Sequence, residues 1–126
     1  MATKPSNIIQ RNRQKAYLAQ SKLCYYCSQP MWEEKEKQSF ITQYRLKPTI
    51  ANLLQCTAEH LLARQDGGNN SLKNIVAACK YCNHTRHKSK NALSPERYKL
   101  KVQKRLSNNG WHRIAINPMQ LSQALT

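Results

Sequence analysis

Apolar and polar positions change period several times along this chain. From Arg11 to Leu23, "RNRQKAYLAQSKL" is rich in helix formers and has neither Gly nor Pro, which predicts a helix. Residues 1–10, with Pro5, Ser6 and Asn7, read as a loose arm. The segment "EEKEKQSFITQYRLK", residues 33–47, opens with mixed charge, as a solvated helix does, and reads equally as an insertion; Pro48 is expected to end it. "QCTAEHLL", Gln55 to Leu62, reads as a short strand ending near His60, and "NIVAA", Asn74 to Ala78, as the returning strand. Between them Asp66, Gly67, Gly68, Asn69 and Asn70 form a dense turn signal, so the pair predicts a hairpin with a long loop. After Cys82, "NHTRHKSK" begins a short helix. Another starts with Ser94 as N-cap and Pro95 at its first position, with Tyr98, Val102 and Leu106 on one face and Gly110 as a stop. Trp111 and the tail to Thr126 either pack back or hang loose.

A chain of 126 residues predicts one domain with a modest core, which gains from a staple such as a metal or disulfides. Its 21 Lys and Arg against six Asp and Glu give a formal charge of +15. Such a charge favours a polyanionic partner, nucleic acid above an anionic membrane. Ile75 to Cys79 is among the longest apolar runs, and a membrane span needs roughly 20 apolar residues. The basic N-terminus lacks the apolar stretch of a signal peptide, so the expectation is an intracellular, cytoplasmic protein.

Four of the five cysteines fall into two C-x-x-C pairs, Cys24 with Cys27 and Cys79 with Cys82. In a reducing compartment this predicts a metal site rather than a disulfide framework. Two such knuckles complete a tetrahedral four-thiolate zinc site with no open position, which makes its role structural. The redox reading of C-x-x-C needs a thioredoxin-like βαβ context, which is missing. Cys56 is expected to be a small buried apolar side chain.

The stretch "CTAEHLLARQDGGNNSLKNIVAACKYCNHTRH", Cys56 to His87, resembles the HNH endonuclease motif carried on a ββα-metal fold, and Cys24 and Cys27 match the zinc-binding subgroup. The resemblance covers roughly residues 24 to 90 and implies an α+β fold with flanking helices. The whole chain, 1–126, is then a single nuclease domain, with a core at about 24–90, an N-terminal arm and helix at 1–23, and a basic helix and tail at 91–126.

In that family the His of the acid-His pair is the general base, which points to His60, and its acidic neighbour binds the catalytic metal, which points to Glu59. Most relatives carry Asp or His there. The middle Asn, here Asn74, orients the base through a hydrogen bond and pins the loop. Asn83 follows the second knuckle as a further metal ligand, giving an H-N-N variant. His87 lies one helical turn on and is a second candidate ligand, as in the nuclease colicins. Oxygen ligands favour magnesium or manganese; if His87 also binds, nickel or zinc compete. His84 reads as a phosphate contact or plain surface, and Asp66-Gly67-Gly68 as turn chemistry.

The implied chemistry suits the residues. A phosphodiester repels hydroxide, so a base must make the nucleophile in place and a cation must stabilise the developing charge. The implied partner is DNA, with the ββα element against the minor groove and products ending in 5′-phosphate and 3′-hydroxyl. Lys80, Arg86, Lys88 and Lys90 are the candidate phosphate contacts, continued by Arg97, Lys99, Lys101, Lys104 and Arg105 against a lone Glu96. No base-reading helix is evident, so little sequence choice is expected. One site makes one nick; cutting both strands needs a homodimer or two visits. A non-catalytic zinc-ribbon nucleic-acid-binding protein would explain the charge and cysteines but not Glu59, His60, Asn74 and Asn83 together. An RNA-binding or ribosome-associated protein is the third reading.

Overall fold

The computed structural model describes residues 5–108, 110 and 111. In chain order they form α1 (Pro5–Ala19), α2 (Lys37–Tyr44), α3 (Pro48–Leu53), β1 (Cys56–His60), a 3-10 turn (Arg64–Asp66), β2 (Ile75–Cys79), α4 (Lys80–His87) and α5 (Pro95–Ser107). The fold is α+β, built on one antiparallel hairpin whose register pairs Cys56 with Cys79 and His60 with Ile75.

A two-stranded sheet leaves both outer edges unpaired, which is costly where they are buried. Gln20, just after α1, covers the β2 edge. Its amide nitrogen donates to the carbonyls of Leu23 and Ala77, both at 2.8 Å, and its oxygen accepts from Ala77 N–H at 2.9 Å. The β1 side is covered at its start by Trp32, whose carbonyl accepts from Cys56 N–H at 2.8 Å. The Trp32 indole N–H donates to Ala51 O in α3 at 2.7 Å, so the α2–α3 block is tied to the same edge.

Three expectations change at the N-terminal half. Helix α1 already includes residues 5–10, expected in the loose arm: Pro is tolerated in a first helical turn because it has no N–H to leave unpaired, and residues 1–4 lie outside the described residues. The helix ends at Ala19, and Ser21 and Lys22 at positive φ turn the chain toward the first knuckle. Pro48 opens α3 for the same reason that Pro5 suits α1, and α2 ends instead at Tyr44, capped by Arg45 in the left-handed conformation.

The core runs from Tyr17 of α1 through Tyr26, Leu54, Ala77 and the cysteines to Tyr98 and Val102 of α5. Helix α5 starts as its sequence predicts, with Ser94 Oγ accepting from Arg97 N–H and Pro95 in the first turn. Gly110 N–H closes its end on Arg105 O at 2.7 Å. Trp111 packs back onto the second knuckle, edge-on to Tyr81 and Tyr98. The rest of the tail lies outside the described residues. No helix among them is long and apolar enough to cross a membrane.

Candidate nuclease site and its zinc knuckle

The two C-x-x-C turns converge. Cys24, Cys27, Cys79 and Cys82 are buried and their sulfurs all lie within 4.8 Å of one another. Cys27 and Cys79 sulfurs are 3.9 Å apart, far beyond a disulfide bond and close to the roughly 3.8 Å that separates thiolates around one zinc. Donors already point at the sulfurs: Cys79 N–H at Cys24 Sγ (3.2 Å), Cys82 N–H at Cys79 Sγ (3.4 Å) and the Trp111 indole at Cys82 Sγ (3.3 Å). Burial opposes ionisation of Cys24, but hydrogen bonds from the other thiols bring it well below the ordinary thiol range. Sharing hydrogen bonds with that thiolate pushes Cys27 and Cys82 upward. Four sulfurs this close cannot all ionise without a cation between them, and the donor set fits zinc.

Cys56 is buried outside the cluster, and burial pushes its thiol up to about 12, so it stays neutral.

Strand alternation sends Thr57 and Glu59 to the α4 face. Asn83 donates its amide N–H to Thr57 Oγ1 (3.0 Å) and Ala58 O (3.2 Å), which leaves its own oxygen uncommitted to the hairpin. Glu59 is 1% exposed. Its Oε2 accepts from Arg86 Nη1 at 3.2 Å and from Tyr26 OH at 3.1 Å. Its Oε1 lies 2.8 Å from His87 Nε2. Burial, and then the charge of Glu59, push the Tyr26 phenol upward, so it remains a donor. The His87 ring is 39% exposed, so it stands between this buried carboxylate and solvent. An open groove of about 530 Å³ begins there, between residues 61–66 and the segment 86–95, and includes Asp66 and Lys90.

His60 ends β1, and its ring meets the loop that follows. Its Nε2 lies 2.9 Å from Asn70 Oδ1, and Asn12 of α1 holds the Asn70 carbonyl with a 2.7 Å bond. Asn74 is placed differently from expectation: no hydrogen bond joins its amide to His60 among the described residues. Its oxygen accepts from Leu62 N–H (2.8 Å), and its nitrogen donates to Leu62 O (3.0 Å) and Asn69 O (2.8 Å). It clasps the two ends of the loop, a better fit for a residue one step before β2 begins. The loop's turn needs both glycines. Gly67 has φ +94°, and a Cβ on Gly68 would lie 1.8 Å from Leu62 O.

Arg86 is corrected as a phosphate contact. Its side chain lines the groove but is buried and committed to Glu59 and to Leu93 O, which leaves little of it for a phosphate. Lys88 and Lys90 are exposed, Lys80 half-buried, and His84 exposed. Sequence reasoning gave Arg86 another role and missed its pairing with Glu59, and it missed the contacts of Tyr26 with Glu59 and of Asn70 with His60. For Arg86 a signal existed, because Asn83, Arg86 and His87 share one helical face at i, i+3 and i+4. Tyr26 sits inside the first knuckle and Asn70 inside a turn cluster, where those residue types have ample structural reasons to occur.

Glu59 Oε1 and His87 Nε2 could hold a divalent ion between them, and Asn83 stands one helical turn before His87 on the same face of α4. Two ligands at right angles around such an ion lie roughly 3 Å apart, close to the separation observed. Residues 45–89 match the family model described as HNH endonuclease. No curated protein and no solved structure gives a significant match.

Proposed function

With residues 45–89 matching the HNH endonuclease family, we propose that this chain is a metal-dependent endonuclease that hydrolyses DNA phosphodiester bonds. The observation that carries the reading is a buried carboxylate paired at 2.8 Å with a half-exposed imidazole, next to a strand-end histidine with its own acceptor.

Glu59, Asn83 and His87 would hold a catalytic magnesium or manganese ion. That ion supplies charge stabilisation for the phosphate and the leaving oxygen when bound. With Nε2 of His60 engaged by Asn70 Oδ1, Nδ1 is the ring nitrogen left for the reaction. A bare Nδ1 can take a proton from water as the water attacks phosphorus. Asn74 fixes the loop that carries Asn70. Lys80, Lys88 and Lys90 contact the DNA backbone, which gives affinity without sequence choice. The four-cysteine knuckle holds a structural zinc and supports Glu59 through Tyr26. One chain nicks one strand; a homodimer would cut both.

The test is supercoiled plasmid incubated with magnesium or manganese. Wild type should nick it, and His60→Ala should lower the rate by about a hundredfold to ten-thousandfold. Wild-type protein that binds plasmid but never nicks it under any divalent ion would favour a non-catalytic zinc-ribbon protein. A parallel assay on RNA separates the RNA-directed reading.

A further inference from the structure

We propose that Arg86 is a resident counter-cation for Glu59, which makes loading of the catalytic divalent ion depend on DNA. The inference rests on the reading of Glu59 as a ligand to that ion.

The Arg86 side chain is 6% exposed and that of Glu59 1%, so the pair is shielded from solvent and salt. The guanidinium cannot swing away, because its Nε is tied to Leu93 O at 3.2 Å while Nη1 reaches Glu59 Oε2 at 3.2 Å and His60 O at 3.5 Å. Tyr26 takes the same carboxylate oxygen. Only Oε1 is left for an ion, and it is shared with His87.

An incoming dication therefore meets a single carboxylate whose charge Arg86 already offsets. Asn83, Tyr26 and His87 add no negative charge, and Asp66, which lines the groove, is exposed. The chain as a whole carries +15, which opposes the ion further. Buried or partly buried charges act strongly on one another, so a fixed guanidinium beside the ligand weakens cation binding. The negative charge the site lacks is carried by DNA phosphates. Ion and DNA then bind cooperatively, and each tightens the other by the same factor.

The experiment measures manganese binding by electron paramagnetic resonance, on zinc-loaded full-length protein in a His60→Ala background that leaves DNA uncut. A short duplex is added or withheld, and the signal of duplex with manganese alone is subtracted. The duplex is expected to tighten manganese binding by about tenfold or more. Without DNA, Arg86→Gln is expected to bind manganese more tightly than its parent, whereas damage to the fold would weaken binding; Arg86→Lys should behave as the parent does. Equal manganese affinity with and without duplex would overturn the proposal, and this measurement stands even if Arg86→Gln fails to fold. No tightening in a folded Arg86→Gln would overturn it as well. Manganese binding unchanged by Glu59→Gln in both conditions would instead remove the ligand reading itself, and the proposal with it.

Discussion

Asn70 Oδ1 lies 2.9 Å from His60 Nε2, and the residue that makes this contact is itself anchored by Asn12 of α1. His60, the proposed base, is thus contacted from a loop braced by a helix outside the family-matched segment. Asn70→Ala should lower kcat by about tenfold to a hundredfold with KM little changed, since a misdirected base loses transition-state but not ground-state interactions. Asn70→Asp keeps an acceptor and should restore most of the rate. Nitrogen NMR of the imidazole checks the cause: the Nε2–H tautomer should dominate in wild type and be depleted in Asn70→Ala. An unaltered tautomer ratio with unaltered kcat would remove Asn70 from the site.

Asn74 holds the loop rather than the base, so its loss should register first as stability. Asn74→Ala removes three hydrogen bonds, two of them to Leu62, and should cost about 1–3 kcal/mol. Urea unfolding measures this. A kcat loss in Asn74→Ala with no change in unfolding midpoint would point back to direct contact with His60.

How much of this was legible follows from which residues carried a periodic or spacing signal. The hairpin, the Ser94-Pro95 helix start and the paired knuckles were readable because alternation, capping chemistry and ligand spacing are local properties. The early start of α1 and the helix opening at Pro48 were not, because proline is compatible with a loop and with a first helical turn alike. Charge misled at Arg86: a guanidinium in a basic run looks like a surface contact until a buried Glu59 is found opposite it. Asn70 and Asn74 lie close in sequence, and only three-dimensional placement tells which amide meets the imidazole.

Burial divides the basic residues after the second knuckle into exposed ones, which the proposed DNA contact can use, and the buried Arg86. Lys88 and Lys90 are exposed beside the groove. Replacing both by alanine should weaken binding to all sequences alike and flatten the dependence of affinity on salt by roughly one unit of slope per lysine. Fluorescence anisotropy across a salt series reads this directly. An unchanged slope would place DNA elsewhere on the surface.

Removing zinc should reach the nuclease site through Tyr26, which sits between Cys24 and Cys27 and donates to Glu59. Metal analysis should find about one tightly held zinc per chain. A strong chelator should expose the four knuckle thiols to alkylation, abolish nicking and cooperatively unfold the chain. Magnesium or manganese added back without zinc should not restore activity. Normal folding of the zinc-free chain would remove the structural role assigned to the four thiolates.

Alkaline pH should destabilise the fold partly through Cys56, whose thiol burial pushes up from an ordinary 9.0 to about 12. The sign follows from proton counting. Between those values the unfolded chain releases this proton and the folded chain keeps it, so stability falls as pH rises by about 1.4 kcal/mol per unit for this group. Below pH 9 the group contributes no slope. Tyr17, Tyr26 and Tyr98, also raised by burial, add in the same direction at higher pH. Cys56→Ala should therefore be less stable near neutrality, because it loses buried volume, yet lose stability less steeply between pH 9 and 11 than wild type does. Denaturation midpoints of the zinc-loaded proteins across that range test it, and parallel slopes would mean that the Cys56 thiol ionises as freely in the folded chain as in the unfolded one.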